Sequence, residues 1–207
     1  MSVTEKVTTR VKRMQKGVPF PINGFYSLGS SASVQKALSR LAQQGEIVRV
    51  SNGYYVRPKP LAGIPSLQTK TSAVKVAQRW ARENGYTLVP QGQEAAYRLG
   101  LQTQAPVKTI YWTNGPSRRF AIGNEVVEVR HVGKQKLRWA GQPAGTVLRS
   151  LTAIPPESTE LADLAHAFQR LSLSEEESRA VVRKLNAIPL PQAWQVKLKQ
   201  LEQSLAS

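Results

Sequence analysis

Residues 28–45, LGSSASVQKALSRLAQQG, run directly into residues 46–58, EIVRVSNGYYVRP, and this stretch decides the reading of the fold. Ser30 or Ser31 is suited to cap a helix whose apolar positions are Val34, Ala37, Leu38 and Leu41. Those four follow the i, i+3, i+4, i+7 spacing of a single buried face. Gly45 comes where a left-handed residue is needed to stop the helix. Ile47, Val48 and Val50 then lead into Asn52-Gly53, the dipeptide best suited to a tight hairpin turn, and Tyr54, Tyr55 and Val56 return. A helix delivered onto a basic β-hairpin is the second half of a winged helix, which sets a recognition helix in the major groove and a wing on the flanking backbone.

Working toward the N-terminus, the spacing predicts a helix over residues 3–14. Ser2 and Glu5 form a capping box, Val3, Val7, Val11 and Met14 form the buried stripe, and Lys6, Arg10, Lys12 and Arg13 share the remaining surface. Gly17, Pro19 and Pro21 interrupt, and INGFYSL is a short second helix closed by Gly29. Residues 1–60 thus read as a winged helix-turn-helix domain. Working toward the C-terminus, RPKPLAGIP (57–65) supports neither helix nor strand and predicts a linker over 61–69. Residues 70–207 read as a mixed α/β domain with a helical tail from about 156, so the fold class is α+β. In that domain, Thr71 or Ser72 starts a helix with Val74, Ala77, Trp80 and Ala81 inward. A strand–helix–strand run over 86–113 leads to the Asn114-Gly115-Pro116 turn. A second hairpin spans 119–132 around Gly123-Asn124, and Pro143 to Leu151 is helical. The tail carries the apolar sets Leu161, Leu164, Phe168 and Leu171; Val181, Val182 and Leu185; and Trp194, Leu198, Leu201 and Leu205. Core packing, dimerisation and contact with a partner are all open to it.

The net charge is +16, unevenly spread. Residues 1–60 carry a net +8, residues 61–154 a net +9 and residues 155–207 a net −1. A polyanion is the natural partner for such a field, with steep salt dependence; a well-solvated basic surface without a partner is the bland alternative. No cysteine is present, which excludes disulfides and thiolate metal sites. The absence of an apolar signal core and of any span-length apolar run predicts a cytoplasmic protein with no membrane partner.

A family resemblance joins these features. The blocks LGSSASVQKALSRL, GYYVRP, VPQGQEAAYRLGL and IYWTNGPSRRFAIGN occur in collinear order over about residues 5–150. The chain resembles the AbiEi-type antitoxins, in particular their DUF6088-like branch. TNGPSR, ending at Arg118, is the most diagnostic part, and nothing beyond Pro155 contributes. The resemblance implies a bacterial phage-defence antitoxin that counteracts a nucleotidyltransferase-like toxin of the AbiEii type, directly or only functionally. It also implies autorepression of its own operon through inverted repeats in operator DNA. Such an operator calls for two copies on DNA, as a dimer or as monomers arriving singly.

Helix geometry sorts the DNA-binding candidates. Ser33, Lys36 and Arg40 share the exposed face opposite Val34, Ala37, Leu38 and Leu41, with Ser31 near the helix start. Lysine and arginine four residues apart suit adjacent phosphates or a guanine edge, and serines at a helix N-terminus suit a phosphate. Arg49, Asn52 and Arg57 belong to the wing and its base. Tyr54 and Tyr55 alternate sides, one toward the core and one toward DNA. Arg118, Arg119, Arg130, Lys134, Lys136 and Arg138 form a second basic set, either an antitoxic or nucleic-acid surface or a turn whose arginines pair with Glu125 and Glu128. Tyr111, Trp112 and Trp139 are stacking platforms or core. His131 and His166 are too separated for a metal site, and no cofactor is expected. Asp163 is the only aspartate, so the paired carboxylates of metal-dependent phosphoryl transfer are missing, and no enzyme is read. The alternative functions are a stand-alone winged-helix transcriptional regulator and an RNA-binding regulator.

Overall fold

A computed structural model of the chain describes residues 1–61, 64–69, 72–122 and 124–205. The fold is mixed α+β and divides into two compact units. The first comprises residues 1–85 and 118–127, the second residues 86–117 and 128–207. No helix among the described residues is long and apolar enough to cross a membrane.

The first unit opens with α1 (Val3–Arg13), whose Ser2–Glu5 capping box is present and whose Val7 and Val11 are buried. A short strand β1 (Pro19–Pro21) leads into a 3-10 helix (Ile22–Leu28) and then α2 (Ser31–Gln43), capped by Ser30. The hairpin follows as β2 (Val48–Ser51) and β3 (Tyr54–Val56), with Ser51 opposite Tyr54 and Asn52-Gly53 as the two-residue loop. Val7, Val11, Phe25, Val34, Leu38 and Ile47 form the core between these helices and the sheet.

The sheet has one strand more than the sequence predicts. Pro19, Phe20 and Pro21 pair antiparallel with Val56, Tyr55 and Tyr54, giving the order β1-β3-β2. Prolines are compatible with β1 because an edge strand need not donate outward. The consequence falls on β3, now central. Tyr55 stacks on Phe20 at 6.2 Å, and Tyr54 meets Phe120 edge-on at 6.5 Å. Tyr54 and Tyr55 are 6% and 5% exposed, so both belong to the interior, whereas the sequence reading left one of them at the surface.

The boundary near residue 60 also differs from expectation. Lys59–Leu61 (β4) and Ile64–Thr69 (β5) form a two-stranded antiparallel ribbon, in which prolines are again tolerated because both strands are edges. Residues 62, 63, 70 and 71 of the predicted linker and helix start lie outside the described residues, as does Gly123 of the second hairpin. Ser72 caps α3 (Ala73–Glu83), whose buried face is Ala73, Val76, Ala77, Trp80 and Ala81, with Val74 only half-buried. The first unit therefore continues past residue 60. Trp80 of α3 and Phe120 of β8 (Arg118–Ile122) lie 5.5 Å apart beside Tyr54, so a cut at residue 70 would strip apolar cover from β3.

In the second unit, β6 (Leu88–Pro90) pairs antiparallel with β7 (Thr109–Thr113). Strand β9 (Glu125–His131) begins in the first unit and runs into the second. Helices α4 (Gly92–Leu99) and α5 (Pro143–Leu151) precede the tail helices α6 (Leu161–Gln169), α7 (Glu175–Asn186) and α8 (Gln192–Ser204). Leu164, Phe168, Val182, Leu185, Trp194 and Leu198 bury themselves against Leu99, Val147 and Leu151. The tail is thus the larger part of this core and packs as an integral element of the second unit.

The TNGPS turn of the second unit is wired from several sides. The Asn114 side-chain oxygen accepts from the Thr87 N–H at 2.8 Å, and the buried Thr113 hydroxyl accepts from the Gly115 N–H at 3.0 Å. His131 donates from Nδ1 to the Gly115 carbonyl at 2.9 Å, and its backbone N–H donates to the Ser117 hydroxyl at 2.9 Å. The Tyr86 ring lies flat on the turn: a Cβ at Gly115 would sit 2.5 Å from ring carbon Cδ2. Gly115→Ala is expected to overpack this site and lower stability by about 1–3 kcal/mol, read from the urea midpoint.

Candidate nucleic-acid interface

The exposed side of α2 carries the residues expected of it. Ser31, Ser33, Lys36 and Arg40 are exposed, and the opposite positions Val34, Ala37, Leu38 and Leu41 are buried. Among the described residues, neither Lys36 nor Arg40 has an ion-pair partner. Ser30 caps the helix by accepting from the Ser33 N–H at 3.3 Å, and its hydroxyl lies 2.9 Å from the Ser33 hydroxyl. Ser33 is therefore engaged locally, and Ser31 is the serine left open at the helix start.

On the hairpin, Arg49 Nη2 donates to the Asn52 side-chain oxygen at 2.9 Å. That bond holds the guanidinium at the hairpin tip, and both residues are exposed. Arg57 behaves differently. Its Nη1 donates to the carbonyls of Lys12 at 2.7 Å and Met14 at 2.8 Å. A cation on the last carbonyls of a helix satisfies orphan acceptors and opposes the negative dipole end, so Arg57 is a cap for α1.

The second basic set divides between the two units. Arg118 lies over the rings of Tyr54, Trp80 and Phe120 at 6.0, 5.7 and 5.9 Å, a structural role in the first unit. Burial, with the Glu83 carboxylate beside it, pushes the Tyr54 hydroxyl above its ordinary range. Arg119 is exposed, and its carbonyl accepts from the Ser51 hydroxyl at 3.3 Å. In the second unit, Arg130 pairs with Glu128 at 2.6 Å. The turn arginine Arg118 thus finds aromatic faces, and Arg130 takes the carboxylate. Lys134 and Lys136 lie on a 3-10 turn (Lys134–Leu137), with Lys136 Nζ 5.3 Å from the Trp112 ring. Arg138 stacks on Trp139 at 5.4 Å. Of the aromatic candidates, Tyr111 is buried, while Trp112 and Trp139 are half-buried beneath cations.

One charged residue escaped the sequence reading. Arg149, on α5, is 3% exposed, and its Nε and Nη1 have no hydrogen-bond partner among the described residues. Only Nη2 is engaged, with the Thr146 hydroxyl at 3.3 Å. Burial pushes the guanidinium down to about 10. The unfolded chain holds this proton more tightly, so the penalty is fully present at neutral pH and fades only as pH rises above about 10. Its size is on the order of 3 kcal/mol. The signal was present in PAGTVLRSL: a short segment of small and apolar residues is buried nearly all round, and its one charge is buried with it.

A basic helix–hairpin face on a mixed α+β scaffold defines the class of protein. The chain belongs to the family described as "Family of unknown function (DUF6088)", whose model matches residues 6–179. Among solved structures it is similar to the crystal structure of RV2827C protein from Mycobacterium tuberculosis, with 19% sequence identity and a TM-score of 0.46. That alignment covers 96% of this chain and 75% of the other. No curated protein matches the chain.

Two substitutions test these assignments. Arg57→Met is expected to cost about 1–3 kcal/mol of stability in urea unfolding while leaving the affinity of folded protein for DNA unchanged. Arg149→Met removes an uncompensated buried charge and is expected to raise the melting temperature by roughly 5–10 °C in calorimetry.

Proposed function

We propose that the chain is a DNA-binding antitoxin of the AbiEi type that represses its own operon, its first residues acting as a winged helix-turn-helix. The observation that carries the DNA-binding part is Lys36 and Arg40, exposed on α2 and without an ion-pair partner among the described residues, beside a hairpin tip holding Arg49 and Asn52. Cations without internal carboxylate partners are available to release counterions from a phosphate backbone or to address a guanine edge. Ser31, at the open end of α2, donates to a phosphate next to the helix amides. Arg57 and both hairpin tyrosines hold the wing in place from behind. The antitoxic part rests on the resemblance of the LGSSASVQKALSRL, GYYVRP and TNGPSR blocks, and its target is a nucleotidyltransferase-like toxin. Arg130, Lys134, Lys136 and Arg138 supply the basic surface of the second unit for that role.

Fluorescence anisotropy with the gene's own upstream duplex and a scrambled duplex tests the reading. Specific binding at physiological salt is expected, at least about a thousandfold above the scrambled control. Lys36→Ala and Arg40→Ala are each expected to cost on the order of 1–3 kcal/mol at a base contact, or to reduce the salt slope by about one at a phosphate. Unchanged operator binding in the double variant would remove α2 as the recognition element. Binding to both duplexes that collapses together as salt rises would leave a merely basic protein.

A further inference from the structure

The second unit contains a cavity of about 850 Å³, within the roughly 300–1,000 Å³ typical of small-ligand sites. Arg149 lies in its wall with two guanidinium nitrogens unpartnered among the described residues. An arginine this deeply buried is stable only with compensation, and no carboxylate lines the described wall. The amino end of α4 lies beside it. A Cβ on Gly92 would come within 2.6 Å of the Arg149 carbonyl, so only glycine lets the first turn of α4 approach this closely. The N-cap residue Gln91 makes no side-chain capping bond. The amides of that turn thus have no side-chain cap, and the positive end of the helix dipole lies at residues 91–93 of the cavity wall. Glu94, the acid of that turn, is held by Arg98 at 2.8 Å.

Three further cations line the same space. Arg130 pairs with Glu128, whereas Lys136 and Arg138 rest on tryptophan rings and have no carboxylate partner among the described residues. The remaining wall is apolar and includes Ile110, Leu148, Ile188 and Leu190. Three uncompensated cations and an uncapped helix end match a dianion or a higher charge, beyond what a single carboxylate carries. The depth of Arg149 excludes a continuous nucleic-acid backbone and admits a terminal phosphate.

We propose that this cavity binds a phosphorylated small molecule of nucleotide size. Its phosphate sits between Arg149 and the amino end of α4, Lys136 and Arg138 hold its outer charge, and its uncharged body lies against Ile110, Leu148, Ile188 and Leu190. The site lies wholly within the second unit and is independent of DNA binding by the first. Burial holds the Arg149 guanidinium at about 10, so it is charged at neutral pH, and a bound phosphate offsets the cost of keeping it there.

Isothermal titration calorimetry on the full chain at physiological salt, with ATP, GTP, pyrophosphate and inorganic phosphate as probes and adenosine as control, tests the proposal. Saturable one-to-one binding of at least one phosphate probe is expected, with none for adenosine. Arg149→Met is expected to weaken binding at least about tenfold while melting at or above the wild-type temperature. The exposed double variant Lys136→Ala/Arg138→Ala is expected to weaken it severalfold without changing the fold. Absence of binding for all four probes overturns the proposal, as does equal affinity in Arg149→Met, which would assign binding to the general basic surface. Should Arg149→Met fail to fold, the double variant decides: unchanged affinity there overturns the site.

Discussion

Strand β3 is three residues long and buried on both faces, and the first unit is organised around that constraint. Tyr55 reaches into the helical core against Phe20, while Tyr54 reaches the other way to Phe120, with Trp80 behind it. A strand covered on two sides and hydrogen-bonded on both edges has little freedom to slip, because a one-residue shift would exchange its faces. The turn at Asn52-Gly53 and the Arg49–Asn52 bond therefore project from a fixed base. Arg57 extends the same logic by tying the end of β3 to the last carbonyls of α1. Side chains presented by α2 and by the hairpin tip keep a defined placement only because the elements beneath them hold still.

The second unit reaches order by a different route. Its core is mostly the tail, with α6, α7 and α8 adding large apolar side chains to the Leu99, Val147 and Leu151 that α4 and α5 supply. Small residues let α4 and α5 come close, and that close approach brings the amino end of one helix beside the buried arginine of the other. An isolated buried charge is a poor contributor to stability, and a protein that keeps one spends stability on something other than folding. The cationic cavity gives that charge a use.

The TNGPSR stretch has a physical explanation in these terms. Thr113, Asn114, Gly115 and Ser117 serve the turn through hydrogen bonds and a ring contact, and Arg118 serves the aromatic cluster under β3. Its residue types are those a tightly wired turn requires. The basic surface lies elsewhere, on α2, the β2–β3 hairpin and the 3-10 turn.

Much of this was legible in the chain. Local periodicity determined α1, α2, the Asn52-Gly53 hairpin and every tail helix, because caps and amphipathic spacing act over a few residues. The same periodicity put Ser31, Lys36 and Arg40 on the solvent side, since four buried apolar positions leave no other orientation. Only the tertiary structure decided what depends on residues distant in sequence. Pro19–Pro21 became a strand by pairing with residues thirty-odd positions later, while Phe120 and Trp80, more distant still, covered Tyr54 on the side away from Tyr55. The division at residue 60 dissolved because α3 and β8 close over β3. Arg149 became a cavity wall because α4 packs beside it, a meeting that no local spacing encodes.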